Sequence, residues 1–371
     1  MTPDTETVAP NLKPGRRASW FELFLDLAFV TAVAQLTGAL AGHYDAAGFA
    51  KFAFLLLLLW WTWLGHTFHS TRFDEDRPDQ HLLGMVQIGA VVVVGYGAGD
   101  AFGAKAMAFA LGMGSLKLLL MLAYLRERAR PGARGLVKAY GSIYAVQALL
   151  WAVSAALAGP AQWALWCAVL LLDMASPALV ARHTHGYPPH PEHLPERFGL
   201  FTIIVMGEGV ASALHALLHA EALSPSSLLL AALGLALSYL YWVGYYERAG
   251  AQNERHVRDA AEGARLRRWA YGHVPLLVGI GGGAAGLVAS AGHHAGADAP
   301  WIAGSCIAMA MIGITVIGRA RTNGRASAAT VGHVALALLA VVAGAAGAMA
   351  TVYAAGVLIG AAQVTLARRG R

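Results

Sequence analysis

Charge is what this chain has least of. Only 13% of its 371 residues are Asp, Glu, Lys or Arg, about half the share found in a soluble domain. That scarcity, beside 57% hydrophobic residues and a mean hydropathy of +0.53, excludes an ordinary water-soluble fold, which needs no such apolar excess to build a core. Cysteine is nearly missing too. Cys167 and Cys306 both fall inside apolar runs, so no disulfide framework is available, and buried free thiols act as small hydrophobes. The polar residues 1–18 lead to no short apolar core with a small-residue cleavage site, so the first apolar run is read as retained rather than as a cleaved signal peptide. No Ser/His pair, His-Glu-x-x-His or paired aspartates stand at catalytic spacing. The reading is therefore not an enzyme, with no cofactor and no metal.

What is present is a succession of apolar runs. They lie near residues 20–41, 49–69, 81–98, 102–125, 139–158, 162–181, 197–219, 226–246, 269–291, 299–318, 327–346 and 349–367. A bilayer span needs about 20 mainly apolar residues. The last two runs meet at Gly347 and can be read as two spans or as one broken helix. The net charge of +6 does not point to nucleic acid, because the basic residues form no patch. They cluster between the runs. With the N-terminus in the cytoplasm, twenty-four Lys and Arg fall in inside segments, and Lys51 and Lys105 fall outside. This meets the positive-inside rule and favours twelve spans, since merging the last two would export the Arg-rich C-terminus.

The sequence also carries weak internal similarity. Phe21-x-Leu23-Phe24 and Phe198-x-Leu200-Phe201 open the first and seventh runs at an offset of 177. Trp63-x-Gly65 and Trp242-x-Gly244 close the second and eighth at 179. Six spans per half would make a parallel repeat. The expected fold is an all-α integral membrane protein of about 12 transmembrane helices, as two related six-helix halves. Its expected divisions are a cytoplasmic N-terminal segment (1–18), a first half (19–182), a Pro/His-rich cytoplasmic connector (183–196), a second half (197–367) and a cytoplasmic C-terminus (368–371). Partners are the lipid bilayer and a proton or monovalent cation, a homo-oligomer is compatible with the sequence, and the location is a bacterial inner membrane.

Ionisable residues within spans are costly, at least about 2.5–3.5 kcal/mol, so each is a functional candidate. Glu22 and Asp26 stand four apart on one face of the first span. Asp26 lies roughly 10 Å in from Ser19 at 1.5 Å per residue. Two such carboxylates in low dielectric should not both ionise freely, which suits a proton or cation site; pairing with Lys117 or a basic loop residue is the structural alternative. Glu208, between Gly207 and Gly209, lies about 18 Å into the seventh run, near the bilayer midplane. Arg197, Phe201, Ile204, Glu208, Ser212, His215 and His219 share one helical stripe, expected to face the protein interior or a water-filled cavity. Glu22, Asp26, Glu208, Ser212 and His215 are thus read as an ion or substrate pathway. Asp173, four residues before Pro177, and Lys117 form a second tier, more simply explained as a buried ion pair.

Several motifs are set aside. Val94-Gly95-Tyr96-Gly97 is similar to a potassium selectivity filter but ends an ordinary span instead of lining a re-entrant loop. Gly281-x-Gly283-x-x-Gly286 fits a dinucleotide fingerprint without a preceding strand, and suits close helix packing better. His183, His185, His190 and His193 read as a solvated, titratable loop in preference to a metal site. Trp60, Trp61, Trp63, Tyr239, Tyr241, Trp242, Tyr245 and Tyr246 read as interfacial or packing aromatics.

The stretch Ser19–Val30, SWFELFLDLAFV, resembles the signature of the bacterial low-temperature-requirement protein A (LtrA) family, as does His193–Glu208, HLPERFGLFTIIVMGE. Arg72-Phe73-Asp74 and Tyr271-Gly272-His273 also look like the family pattern, while Gly95-Tyr96-Gly97 departs from it. The resemblance covers essentially the whole chain. It implies a membrane-embedded protein connected with growth in the cold, supplies no substrate, and marks Glu22, Asp26, Arg72, Asp74, His193, Glu196, Arg197 and Glu208. From these, Arg72, Asp74, His193, Glu196 and Arg197 are expected at the mouth of the path. The functional expectation is a proton- or cation-linked secondary transporter. An oligomeric cation channel and a non-transport membrane scaffold or sensor in cold or envelope stress are the alternatives.

Overall fold

The structure, a computed structural model, describes residues 15–73, 78–184, 187–218, 220, 223–249, 253–292, 295–320 and 328–369. Among them are twelve α-helices and no β-strand: α1 (Trp20–Ala41), α2 (Ala46–Arg72), α3 (Pro78–Ala98), α4 (Ala106–Arg126), α5 (Arg134–Ala155), α6 (Pro160–Val180), α7 (His193–Leu218), α8 (Pro225–Trp242), α9 (Ala260–Ala291), α10 (Ala299–Arg319), α11 (Ala328–Ala343) and α12 (Met349–Arg369). Nine of these, all but α3, α11 and α12, are long and apolar enough to cross a bilayer. The other three contain shorter apolar stretches, Leu82–Ala98, Thr330–Ala343 and Met349–Thr365.

The apolar runs locate the helices well, but several helices start earlier in polar sequence. Caps explain this. Asp259 accepts the Glu262 amide and starts α9 at Ala260, nine residues before its apolar run, so Arg265, Arg267 and Arg268 lie on the helix and not in a loop. His190 Nδ1 accepts the amides of Glu192 and His193 at 3.3 and 3.2 Å. That draws His193, Leu194, Pro195 and Glu196 into α7, and the expected connector is shorter than 183–196. It is also less solvated than expected: His190 and His193 are buried and His183 is half-buried, while His185 lies outside the described residues. The apolar run marks where a helix meets lipid; the cap marks where it begins. At the C-terminal end, Gly347 sits at φ 76°, a left-handed conformation that glycine adopts without strain. It separates α11 from α12, so the broken-helix alternative becomes two helices.

Lipid tails are as apolar as leucine, so helix association here depends on close packing and hydrogen bonds. Glycines supply the approach between α9 and α10. A Cβ on Gly279 would stand 2.3 Å from the Cys306 carbonyl oxygen, so only glycine permits that backbone contact. The Gly281–Gly286 motif packs the same helix on its neighbours: the Tyr44 hydroxyl donates to the Gly282 carbonyl at 2.9 Å, and Tyr353 donates to that of Gly283. Gly97, in the filter-like sequence, lets α3 cross the backbone of α4 at Phe109. Within the first six helices, α1 packs on α2 and α3, α4 on α2, α3 and α5, and α6 on α2 and α5. Within the last six, α7 packs on α8 and α9, α9 also on α8, α10 on α8, α9, α11 and α12, and α12 on α8 and α11. The two groups meet where α1 and α2 lie against α7 and α9.

Candidate functional site

The site is built where α1 begins. Ser19 caps α1: its hydroxyl accepts the Glu22 amide, and Glu22 Oε2 accepts the Ser19 amide at 2.9 Å. This capping box fixes the Glu22 side chain one turn before Asp26 on the same face. Opposite them, α7 presents its own pair four residues apart, His193 and Arg197. The two pairs mesh. Arg197 Nε and Nη2 donate to Asp26 Oδ2 and Oδ1 at 2.9 and 2.6 Å, a bidentate contact, while Nη1 donates to Glu22 Oε1 at 2.6 Å. His193 Nε2 donates to Glu22 Oε2 at 3.1 Å. From α2, the Trp63 indole donates to Asp26 Oδ1 at 2.8 Å, and Ser70 Oγ accepts from Arg197 Nη1 at 3.2 Å. Phe198 packs edge-on against Trp63 and Phe201 lies tilted over it, with ring centroids 5.2 and 4.2 Å away, and they close the apolar side.

Burial sorts the two carboxylates. The Asp26 side chain is 0% exposed and that of Glu22 14%. Glu22 and Arg197 line an open cavity of about 290 Å³, with His66, His69, Gln87, Arg16 and Arg126 among its walls. Asp26 lies behind them. The sequence reading of two carboxylates in competition lacked the guanidinium between them. With Arg197 present the three groups carry one net negative charge. His193 Nδ1 has no hydrogen-bond partner among the described residues, and a proton there would bring the cluster to neutrality. The arrangement offers one edge of an arginine fork to the cavity.

The site residues of α1 and the start of α7 carry the two most specific stretches of sequence. The sequence model of the bacterial low temperature requirement A protein (LtrA) family matches residues 17–366. This chain belongs to the LtrA family. An uncharacterized protein of Rhizobium meliloti (strain 1021), RA0937, is 23% identical over 278 residues, which are 71% of this chain and 67% of that protein. No solved structure matches the chain.

In this LtrA protein, five of the expected residues converge: Glu22, Asp26, His193, Glu196 and Arg197. Glu196 Oε2 accepts the Ala18 amide at 2.9 Å and so ties down the segment before α1. Arg197 is not a guard at the mouth. It is the counter-charge of both carboxylates, the role the sequence offered to Lys117 or a loop residue. Lys117 instead donates to both Asp173 oxygens at 2.9 and 2.8 Å, with Gln147 Nε2 adding a third bond at 2.9 Å. Pro177 has no N–H to give the Asp173 carbonyl; the Ser176 hydroxyl serves it at 2.8 Å. Arg72 is buried too, not placed at the mouth. It donates to the Tyr124 hydroxyl at 3.2 Å and lies over the Phe68 and Tyr140 rings, beside a smaller cavity of about 110 Å³. Asp74 is outside the described residues.

The stripe on α7 does not stay inside. Arg197, Phe201 and Ser212 are buried, Glu208 is half-buried and His215 is exposed. Helix α7 is covered by α1 and α2 near Arg197, whereas at Gly209 its close neighbour is Ser238 of α8. The periodicity was read correctly, but the cover over it changes along the helix. Glu208, Ser212 and His215 are thus not brought to the cavity that Glu22 lines. Sequence reasoning missed Trp63, treated as a packing aromatic, and the wall residues His66 and Gln87, whose side chains bond across α2 and α3 at 3.2 Å. Polar residues inside otherwise apolar helices were the available signal for those two.

Proposed function

We propose that this LtrA-family protein is a proton-linked secondary transporter of the bacterial inner membrane, with the Glu22–Arg197–Asp26 cluster and His193 as its proton-carrying centre. The observation that carries the reading is a polar cavity leading from one end of the bundle onto a buried arginine held by two carboxylates. Charges of this kind in a membrane core are costly and mark substrate or proton pathways. In this reading all twelve helices span, both termini are cytoplasmic as the distribution of Lys and Arg favours, and the cavity opens to the cytoplasm.

The reading includes two related halves. Each helix contact named above for α1–α6 has a counterpart in α7–α12, six helices on. A cross-helix hydrogen bond stands in a similar place in each half, though its second partner does not keep the offset of the first. His66 on α2 bonds Gln87 on α3, and Tyr245, 179 residues beyond His66 in the turn that extends α8, bonds His273 on α9 at 2.9 Å. Parallel repeats of six helices, with a site near their interface, suit a rocking-type transporter. The Asp26 charge of the first half has no like at the same offset of 177 in the second, where residue 203 is Ile203.

The test is flux in proteoliposomes under imposed proton, sodium and potassium gradients, comparing wild type with Glu22→Gln. Proton-dependent flux that the substitution abolishes supports the proposal. Fast, unsaturable cation flux would favour a channel. Unchanged flux in a well-folded Glu22→Gln protein overturns the assignment of the centre. The pairing of Lys117 with both Asp173 oxygens favours one other reading, a scaffold or sensor whose buried charges only fix helix packing. It expects neutral substitutions to weaken the fold and to leave every flux untouched.

A further inference from the structure

We propose that the cavity takes a small oxyanion, a carboxylate or phosphate, which displaces Glu22 from Arg197 while Glu22 takes up one proton from water. The inference rests on the transport reading for the purpose of the site, and names its substrate class and coupling. Its first support is the asymmetry of the arginine fork. The Asp26 edge is sealed by Trp63 and fully buried, but the Glu22 edge faces the cavity. A guanidinium binds carboxylates and phosphates alike through paired N–H donors, so an incoming oxyanion can occupy the place Glu22 holds.

The walls give the second support. Arg16, Arg17 and Arg126 stand around the outer cavity. Arg17 is paired with Glu196, Glu127 with Arg130, and Glu22 with Arg197. Deeper in, His66 lines the cavity with 7% exposure. The Gln87 side chain bonds its Nδ1, which leaves Nε2 without a well-formed hydrogen bond among the described residues. A buried ring nitrogen without a partner is a cost that a hydrogen-bonding ligand group removes.

Charge conservation is the third. Bringing a bare anion into the cluster would add a buried negative charge. If Glu22 is protonated as it leaves Arg197, an O–H bond forms, one negative charge disappears, and a singly charged carboxylate or phosphate group replaces it at the guanidinium. The net charge of the buried groups is then the same before and after, so no new charge is desolvated. Glu22 is faced by Asp26 on its own helix, His193 and Arg197 on α7, and His66 and His69 on α2. The rim groups Arg16, Arg17, Arg126 and Glu127 lie farther out. Glu22 both contacts the guanidinium and reaches the cavity, which makes it the proton acceptor of this exchange.

The test is calorimetric titration of the purified full-length protein in mild detergent with inorganic phosphate, succinate and, as cation probe, tetraethylammonium. Each titration is run in two buffers of different ionisation enthalpy, so that protons are counted. Phosphate or succinate should bind with uptake of about one proton per anion. Glu22→Gln should bind the same anion at least as tightly with uptake near zero, because its Arg197 edge is already released. Arg126→Gln, which leaves the buried cluster intact, should bind several-fold more weakly with uptake unchanged, and keeps the test open if Glu22→Gln does not fold. No anion binding, anion binding without proton uptake in wild type, undiminished uptake in Glu22→Gln, or binding of tetraethylammonium alone would each overturn the proposal. Displacement by phosphatidylglycerol in nanodiscs with no response to soluble anions would give the site to a lipid headgroup, and overturn it as a small-anion site. Proton-linked anion binding without flux in proteoliposomes would remove the transport reading and leave this site standing; flux without anion binding would do the reverse.

Discussion

Arg197→Gln is the substitution with the most to say about the buried cluster. The guanidinium makes three donations at 2.6–2.9 Å to two carboxylates, one of them on a fully buried side chain. Removing one partner of a buried ion pair leaves an uncompensated charge, at a cost of about 3–5 kcal/mol. Arg197→Gln and Asp26→Asn should each fall in that range. The double variant should cost less than the sum of the two by about 2–3 kcal/mol, since the second change removes the charge the first exposed. Arg197→Lys keeps the charge but loses the planar fork; with one charge-assisted bond or more lost, it should cost about 1.5–3 kcal/mol. The assay is denaturant-induced unfolding of the detergent-solubilised protein, followed by helicity, on all four corners of the cycle. Additive effects, with a coupling under about 0.5 kcal/mol, would refute the account, because the arginine and the aspartate would then be stabilised independently.

Lys117→Met should be as damaging as Arg197→Gln, about 3–5 kcal/mol, whereas Lys117→Met with Asp173→Leu should recover most of the loss; unfolding and flux measured together would check that this pair is structural and the double variant still transports. Gly279→Ala should destabilise by about 1–3 kcal/mol, as its new Cβ meets the Cys306 carbonyl at 2.3 Å. Gly283→Ala on the same helix, where nothing lies within 4 Å, should stay within about 0.5 kcal/mol. Glu208→Gln should leave flux and anion-linked proton uptake at wild-type levels, and a loss of either would return Glu208 to the pathway.

How much of this was legible in the sequence differs by level. Helix positions were, because an apolar run of membrane length has few other solutions; the starts of α7 and α9 were not, because His190 and Asp259 set them from polar sequence. The Lys117–Asp173 pair was also legible, since few opposite charges lie so deep within the apolar runs. Asp26 defeated the same reasoning. Its partner Arg197 stands at the polar edge of an apolar run, 171 residues on, and looks like a topology signal until α1 and α7 are seen side by side. Trp63 gave no hint of a polar task, as its neighbours Trp60 and Trp61 are also tryptophan. The cavity is a property of how α1, α2, α3 and α4 stand apart, which no spacing of residues encodes.

The span between Asp26 and Arg197 also has a meaning for biogenesis. Synthesis proceeds at roughly 5–20 residues per second, so α1 emerges some 10–30 s before the arginine that will neutralise it. Through that interval, while five further helices are made, a helix bearing two acidic side chains must either wait at the membrane surface or enter the bilayer with those groups protonated. Its final seating then becomes one of the later events of assembly. A truncated chain ending before α7 should accordingly hold α1 loosely, with Glu22 and Asp26 open to water-soluble carboxyl reagents that the completed protein excludes from Asp26.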